Sequence, residues 1–240
     1  MTRVRHGSRF HPRLRPTLAP KRDAAMPSRL LPCLLSFVSV VAVAAPCVAA
    51  DRIQPARMDA GDLVSYLPDG AVIESRLDED VTGDGLRDLV LVARNDEMRV
   101  LKVLVAHADE VNMGYEPVGE MRMGGAPLGA ASLSVKKGVL IVEDLDGGTS
   151  AIQSLYRFRF DRKENRMRLI GDDVSLYSRT NAHDSTSIST NRLTGVQLVK
   201  RSVVGEDGYT DQPEQEKRVS TAPVWMEDAP LPAKTLGWEE

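Results

Sequence analysis

Asp80, Thr82, Asp84 and Asp88 stand at positions one, three, five and nine of the stretch Asp80-Val81-Thr82-Gly83-Asp84-Gly85-Leu86-Arg87-Asp88. Three carboxylates and a hydroxyl at this spacing form an oxygen-only donor set. That set suits a hard cation such as Ca²⁺, which takes about six to eight oxygen ligands. The candidate metal ligands are Asp80, Thr82, Asp84 and Asp88 through their side chains and Leu86 through its backbone carbonyl. Gly85, helped by Gly83, permits the sharp reversal that would bring both halves of the loop onto one ion. Without a cation the carboxylates repel one another; with Ca²⁺ that repulsion becomes affinity. An EF-hand is excluded, because position twelve is Leu91 rather than a bidentate Glu and an apolar strand follows. Calcium here is expected to be structural. The alternative is an Asp/Gly-rich turn that holds no metal. Glu143, Asp144 and Asp146 make a second acidic group, diluted by Gly147-Gly148.

Other chemistry is sparse. Beyond residue 50 the only histidines are His107 and His183, and neither lies in a Gly-x-Ser-x-Gly or His-Glu-x-x-His setting. His183-Asp184-Ser185 holds the residue types of a catalytic triad, but neighbours on an extended chain point to opposite faces and cannot relay a proton among themselves. No catalytic residues are assigned. The run Tyr156-Arg157-Phe158-Arg159-Phe160 alternates aromatic and basic side chains, and Arg166-Met167-Arg168-Leu169 does the same. If the two segments pair, Arg157, Arg159, Arg166 and Arg168 share one face and the apolar residues share the other. Like charges facing each other across strands are destabilising. Acidic neighbours should therefore offset them, or an anionic partner: an acidic protein surface or an anionic polysaccharide.

The elements that must position these groups follow a period of two. One short helix is expected over Asp59–Tyr66, ended by Pro68-Asp69-Gly70. After it come about ten short strands: 71–77, 88–93, 98–106, 115–123, 132–135, 138–143, 151–160, 166–176, 186–190 and 196–204. Turn residues separate them, and the clearest hairpin joins 151–160 to 166–176. The fold class is all-β, an antiparallel meander arranged either as part of a propeller or as two sheets. Asp-Gly recurs at 84–85, 146–147 and 207–208, but the later copies lack the other ligands, so true repeats are not favoured. The domain spans residues 51–222, and a Pro-rich tail, residues 223–240, follows it. Val224-Trp225 in that tail could dock on the core.

The acidic loop with its apolar strand resembles the calcium loop of FG-GAP repeats, the repeat of integrin-alpha-type β-propellers. Asp80, Asp84 and Asp88 match that pattern, and Thr82 replaces the usual Asn or Asp. The resemblance covers about fifteen residues and one copy. It implies a β architecture and a bound calcium ion, while a full propeller needs at least about four blades. The wider order also resembles small exported bacterial proteins, with one such loop early, a Gly-Gly loop midway and a late segment that here is Thr186–Gly195.

Compartment follows from the first fifty residues. Eight basic residues and one acid precede an apolar run from Leu30 to Ala50 that ends in Val48-Ala49-Ala50. This is the order of a secretory signal, expected to be cleaved after Ala50, with Met26 a possible true start. An uncleaved run of this length would span a bilayer; Pro32, Pro46 and the small-residue end favour cleavage. A membrane is a partner only in that uncleaved case. Both cysteines, Cys33 and Cys47, fall in the leader, so the domain would hold together without disulfides. The whole chain has a formal net charge of −3, but the remainder holds 23 basic and 33 acidic residues, a net of −10. That charge makes nucleic acid a poor partner. The expectation is an exported, periplasmic or secreted, non-enzymatic calcium-stabilised β domain acting as a binding or envelope-associated module. The alternative is a periplasmic hydrolase with a carboxylate or calcium-assisted site.

Overall fold

In the computed structural model, residues 54–109 and 112–238 are described; the expected leader, with Cys33 and Cys47, lies outside them. The fold is all-β, with two antiparallel sheets. The smaller is a meander of β1 (Val72–Glu79), β2 (Asp88–Arg94), β3 (Arg99–Ala108) and β4 (Met113–Arg122). The larger runs in order through β5 (Ser132–Lys136), β6 (Val139–Gly147), β7 (Ser150–Asp161), β8 (Arg166–Ser178), β9 (Ser185–Asn191), β10 (Val196–Gly205) and β11 (Gly208–Asp211). Two further strands join its flanks: β12 (Gln215–Arg218) on β10 and β13 (Val224–Trp225) on β8. The two-sheet form of the expected meander is the one observed. The expected helix is a 3-10 turn over Asp62–Tyr66. Among the described residues, no helix is long and apolar enough to cross a membrane.

Alternation decides which side chains meet between the sheets. Val90, Val92, Leu101 and Val103 from the small sheet pack against Leu140, Val142, Phe158 and Leu169 from the large one. The small sheet is covered on its other face as well. There Leu63 of the 3-10 turn packs with Leu89, Leu91 and Leu104, flanked by Tyr66 and Tyr115. Burial on both faces is why Leu89–Ala93 reads as an unbroken apolar run, a pattern otherwise typical of parallel sheets. The outer face of the large sheet has no such cover among the described residues; β7 alternates apolar and basic side chains over residues 156–160 accordingly, while β6 opens on the apolar run 139–142.

One strand irregularity has a direct electrostatic use. The β1–β2 register slips between Ile73 and Ser75, which leaves Glu74 as the extra residue of a bulge. The bulge turns Glu74 towards Arg99 of β3, and Asp144 of β6 meets the same guanidinium from the opposite sheet. Arg99 Nη2 lies 2.6 Å from Glu74 Oε1, and Nη1 lies 2.7 Å from Asp144 Oδ2. All three side chains are buried, at 2%, 7% and 6% exposure. The expected second acidic group therefore separates: Asp144 belongs to this inter-sheet triad, while Glu143 faces solvent.

The C-terminal segment belongs to the same compact unit, residues 49–240, and is not a tail apart from it. After β12 the chain passes the β9–β10 turn, where Val219 N–H donates to the Gly195 carbonyl. It then pairs Val224 and Trp225 with Leu169 and Arg168 of β8. Met226 inserts fully buried between β4 and β8. Gly119 of β4 makes this possible, since a Cβ there would stand 2.8 Å from the Met226 sulfur. Further on, the Tyr156 hydroxyl donates to the Pro230 carbonyl at 2.9 Å.

Candidate functional site

The acidic loop joins β1 to β2, and strand parity explains its most buried member. Asp88 opens β2 on the same face as Val90 and Val92, so its carboxylate turns inward and is 1% exposed. Asp88 Oδ2 accepts the N–H groups of Val81 at 2.7 Å and Thr82 at 3.0 Å, and Oδ1 accepts that of Ala106 on β3 at 2.9 Å. Burial pushes the acid up to about 6, against the pull of these three N–H donors, and the Asp84 charge pushes it the same way.

Asp80 closes the other half of the loop. Its Oδ1 accepts Gly83 N–H at 2.6 Å, Asp84 N–H at 3.2 Å and the Thr82 hydroxyl at 3.3 Å, and its Oδ2 accepts Gly85 N–H at 2.8 Å. Asp84 Oδ1 accepts Leu86 N–H at 2.8 Å, while the Leu86 side chain is buried. Gly83 and Gly85 carry φ of 74° and 89°, a backbone that side chains avoid and that this reversal requires. Two clamps escaped sequence reasoning. Arg162, from the turn between β7 and β8, donates to the Thr82 and Gly83 carbonyls at 2.9 and 3.2 Å. Gln54 bridges the Gly85 carbonyl and Arg87 N–H at 2.9 and 2.8 Å. Neither has any recognisable spacing to the loop, so nothing in the sequence marks them.

The loop's donor chemistry, oxygen throughout, fits a hard cation. Its placement is that of a loop closed on its own N–H groups. Among the described residues, no three His, Cys, Asp or Glu side chains form a group that could hold a metal. A carboxylate offers about four lone-pair sites, of which Asp88 uses three and Asp80 four.

The arginine stripe does assemble on one face. Arg159 lies opposite Arg168 across β7–β8. Two members have acidic partners: Arg157 reaches Asp173 at 2.7 Å and Arg166 reaches Glu227 at 2.9 Å, with the Arg166 guanidinium 4.8 Å over the Trp225 ring. The side chains of Arg159 and Arg168 have no hydrogen bond or ion pair among the described residues, and Arg168 Nε is shielded from solvent without an acceptor.

His183 finds a serine, but not its neighbour Ser185. Its Nδ1 lies 2.7 Å from the Asp184 carbonyl oxygen, which can only accept. In the neutral imidazole, Nε2 then accepts from the Ser150 hydroxyl, 2.8 Å away. Ser150 is exposed and begins β7, so this pair joins two hairpin ends that no sequence spacing links. His107 is separate, on β3, with its Nδ1 buried and unpartnered.

No protein-family model matches the chain, and neither a curated protein nor a solved structure was found to be similar to it. The likeness to FG-GAP loops therefore stands on the loop residues themselves.

Proposed function

We propose that this chain is an exported, non-catalytic β-sandwich that works as a binding or envelope-associated module, with Ca²⁺ at Asp80–Asp88 as a structural cross-link. The observation that carries the binding role is the asymmetry of the two sheets. The small sheet is covered on both faces, whereas the large sheet leaves its outer face to solvent with two unpaired arginines on it. A broad, open, charged sheet face suits contact with an extended partner better than it suits turnover of a small molecule, which needs convergent groups in a cleft. Export rests on the order of charge and apolarity in the first fifty residues. Calcium rests on the oxygen donor set and on the burden of charge at Asp84 and Asp88.

The test is co-sedimentation of the full chain with isolated envelope fractions. Association at low salt and release at high salt are expected, as for a charged interface. A chain that stays in the supernatant under both conditions overturns the binding role. The Ser150–His183 pair favours a second reading, a hydrolase. Covalent capture of Ser150 by a fluorophosphonate, lost in Ser150→Ala, would decide for it.

A further inference from the structure

The unpaired arginines belong to a longer row. Lys136 ends β5 opposite Val139 of β6. The Leu140–Phe158 register, carried one step on, sets Val139 level with Arg159. Arg159 faces Arg168, and Arg168 faces Trp225 of β13. Five strands thus contribute one position each to a line across the sheet, with neighbours about 5 Å apart. Among the described residues, four carboxylates stand on this face on or next to β6, β7 and β8. Asp173 is held by Arg157, and Glu227 by Arg166. Asp161 faces Arg166 but caps its own turn by accepting Lys163 and Glu164 N–H. Glu143 stands two residues along β6 from Ile141, which faces Arg157. None of the four is bonded to Arg159 or Arg168.

Two guanidinium groups directly opposite each other repel; Asp173, Glu227 and Asp161 are held by other groups, and Glu143 stands four positions along β6 from Val139, the residue level with Arg159. Resting on the binding role argued above, we propose that Arg159 and Arg168, with Lys136 at the end of the row, form a binding site for an anionic polysaccharide. Successive acidic groups of the polymer sit along the row, where the forked guanidinium donors match a carboxylate or sulfate. A polysaccharide fits better than an acidic protein for two reasons. Protein interfaces centre on exposed aromatic or aliphatic side chains, and none of the large exposed apolar residues lies on β6, β7, β8 or β13. Farther along the same face, five to seven residues up β8 from Arg168, hydroxyls line the sheet: Ser175 bonds Ser187 at 2.7 Å and Ser189 bonds Asp173 at 2.6 Å. Such a surface exchanges hydrogen bonds with sugar hydroxyls readily.

The probe is alginate, titrated into the full chain at low salt, with neutral dextran and poly-glutamate alongside. Alginate should bind, dextran should not, and poly-glutamate should bind at least about tenfold more weakly than alginate. Arg159→Gln/Arg168→Gln should weaken alginate at least about tenfold, while Arg122→Gln, on β4 and away from the row, leaves it unchanged. Arg159 is exposed, so if the double variant melts early, Arg159→Gln alone carries the test with a loss of about threefold or more. Absence of alginate binding, equal binding by the arginine variants, or poly-glutamate binding as tight as alginate overturns the proposal, the last in favour of an acidic polypeptide. Failure here with envelope association intact removes the ligand class and leaves the binding role. Failure of both removes the role itself.

Discussion

A carboxylate buried to 1% and pushed up to about 6 is costly at neutral pH, and Asp88 has only backbone N–H groups to offset the cost. A cation beside Asp84 and Asp88 would relieve it, which makes calcium a question of stability. The expected outcome is a thermal midpoint of the full chain that rises with calcium and falls back with chelator. At a calcium concentration about 100-fold above Kd the gain is about 2.7 kcal/mol. Asp84→Ala should lose the rise, and it spares Asp80 and Asp88, whose carboxylates hold the loop closed. Identical melts in calcium and chelator would remove the ion and leave a hydrogen-bonded turn. The sequence shows which residues to suspect through their types and spacing. It also holds the reason that Asp88 turns inward, since residues 88, 90 and 92 share a face. What it does not show is the direction of the loop's N–H groups, which depends on Gly83 and Gly85 and on clamps from Gln54 and Arg162.

Strands were legible because their period is two and their turns are polar: β7 and β8 lie within two residues of their expected bounds. Bulges were not, because one extra residue leaves composition unchanged while reversing which side chains face inward. Glu74 is the consequence. Burial pushes its pKa up, but the Arg99 hydrogen bonds, Ala131 N–H and the charges of Arg99 and Arg94 outweigh burial and hold it below the usual carboxylate value. A folded value below the unfolded one means that the ionised carboxylate stabilises the fold above about pH 4.5, and that this contribution is lost as pH falls through the folded value. Removing one partner of a buried ion group costs about 3–5 kcal/mol. Urea unfolding should therefore show Glu74→Gln less stable than the wild type by about 3 kcal/mol at pH 7, with the gap narrowing as the wild type is acidified. A gap that stays constant with pH would mean that Glu74 acts through packing and not through its charge on Arg99.

At the scale of the molecule, the two sheets are unequal, and a four-stranded sheet cannot cover the inner face of a nine-stranded one. The C-terminal segment supplies part of the cover. Its prolines and polar residues read as a tail, since composition cannot reveal that Met226 will sit at 0% exposure or that Tyr156 will bond Pro230. Its two-residue strand is too short for any periodicity to detect. If the segment is a strap, its loss should act on the whole core. A chain ending at Ala222 gives up the β13 pairing, the Met226 plug beside Gly119 and Met167, and the Tyr156 hydroxyl's acceptor. Removing a buried methionine side chain alone costs about 2–5 kcal/mol, so the truncated chain should melt far below the full one and bind a hydrophobic dye before it unfolds. Met226→Ala should account for about half of that loss, because the edge of β8 stays paired in the point variant. A truncated chain with the melting midpoint of the full chain would show that the sheets close on each other unaided, and the segment would then be an accessory of the surface instead of a part of the core.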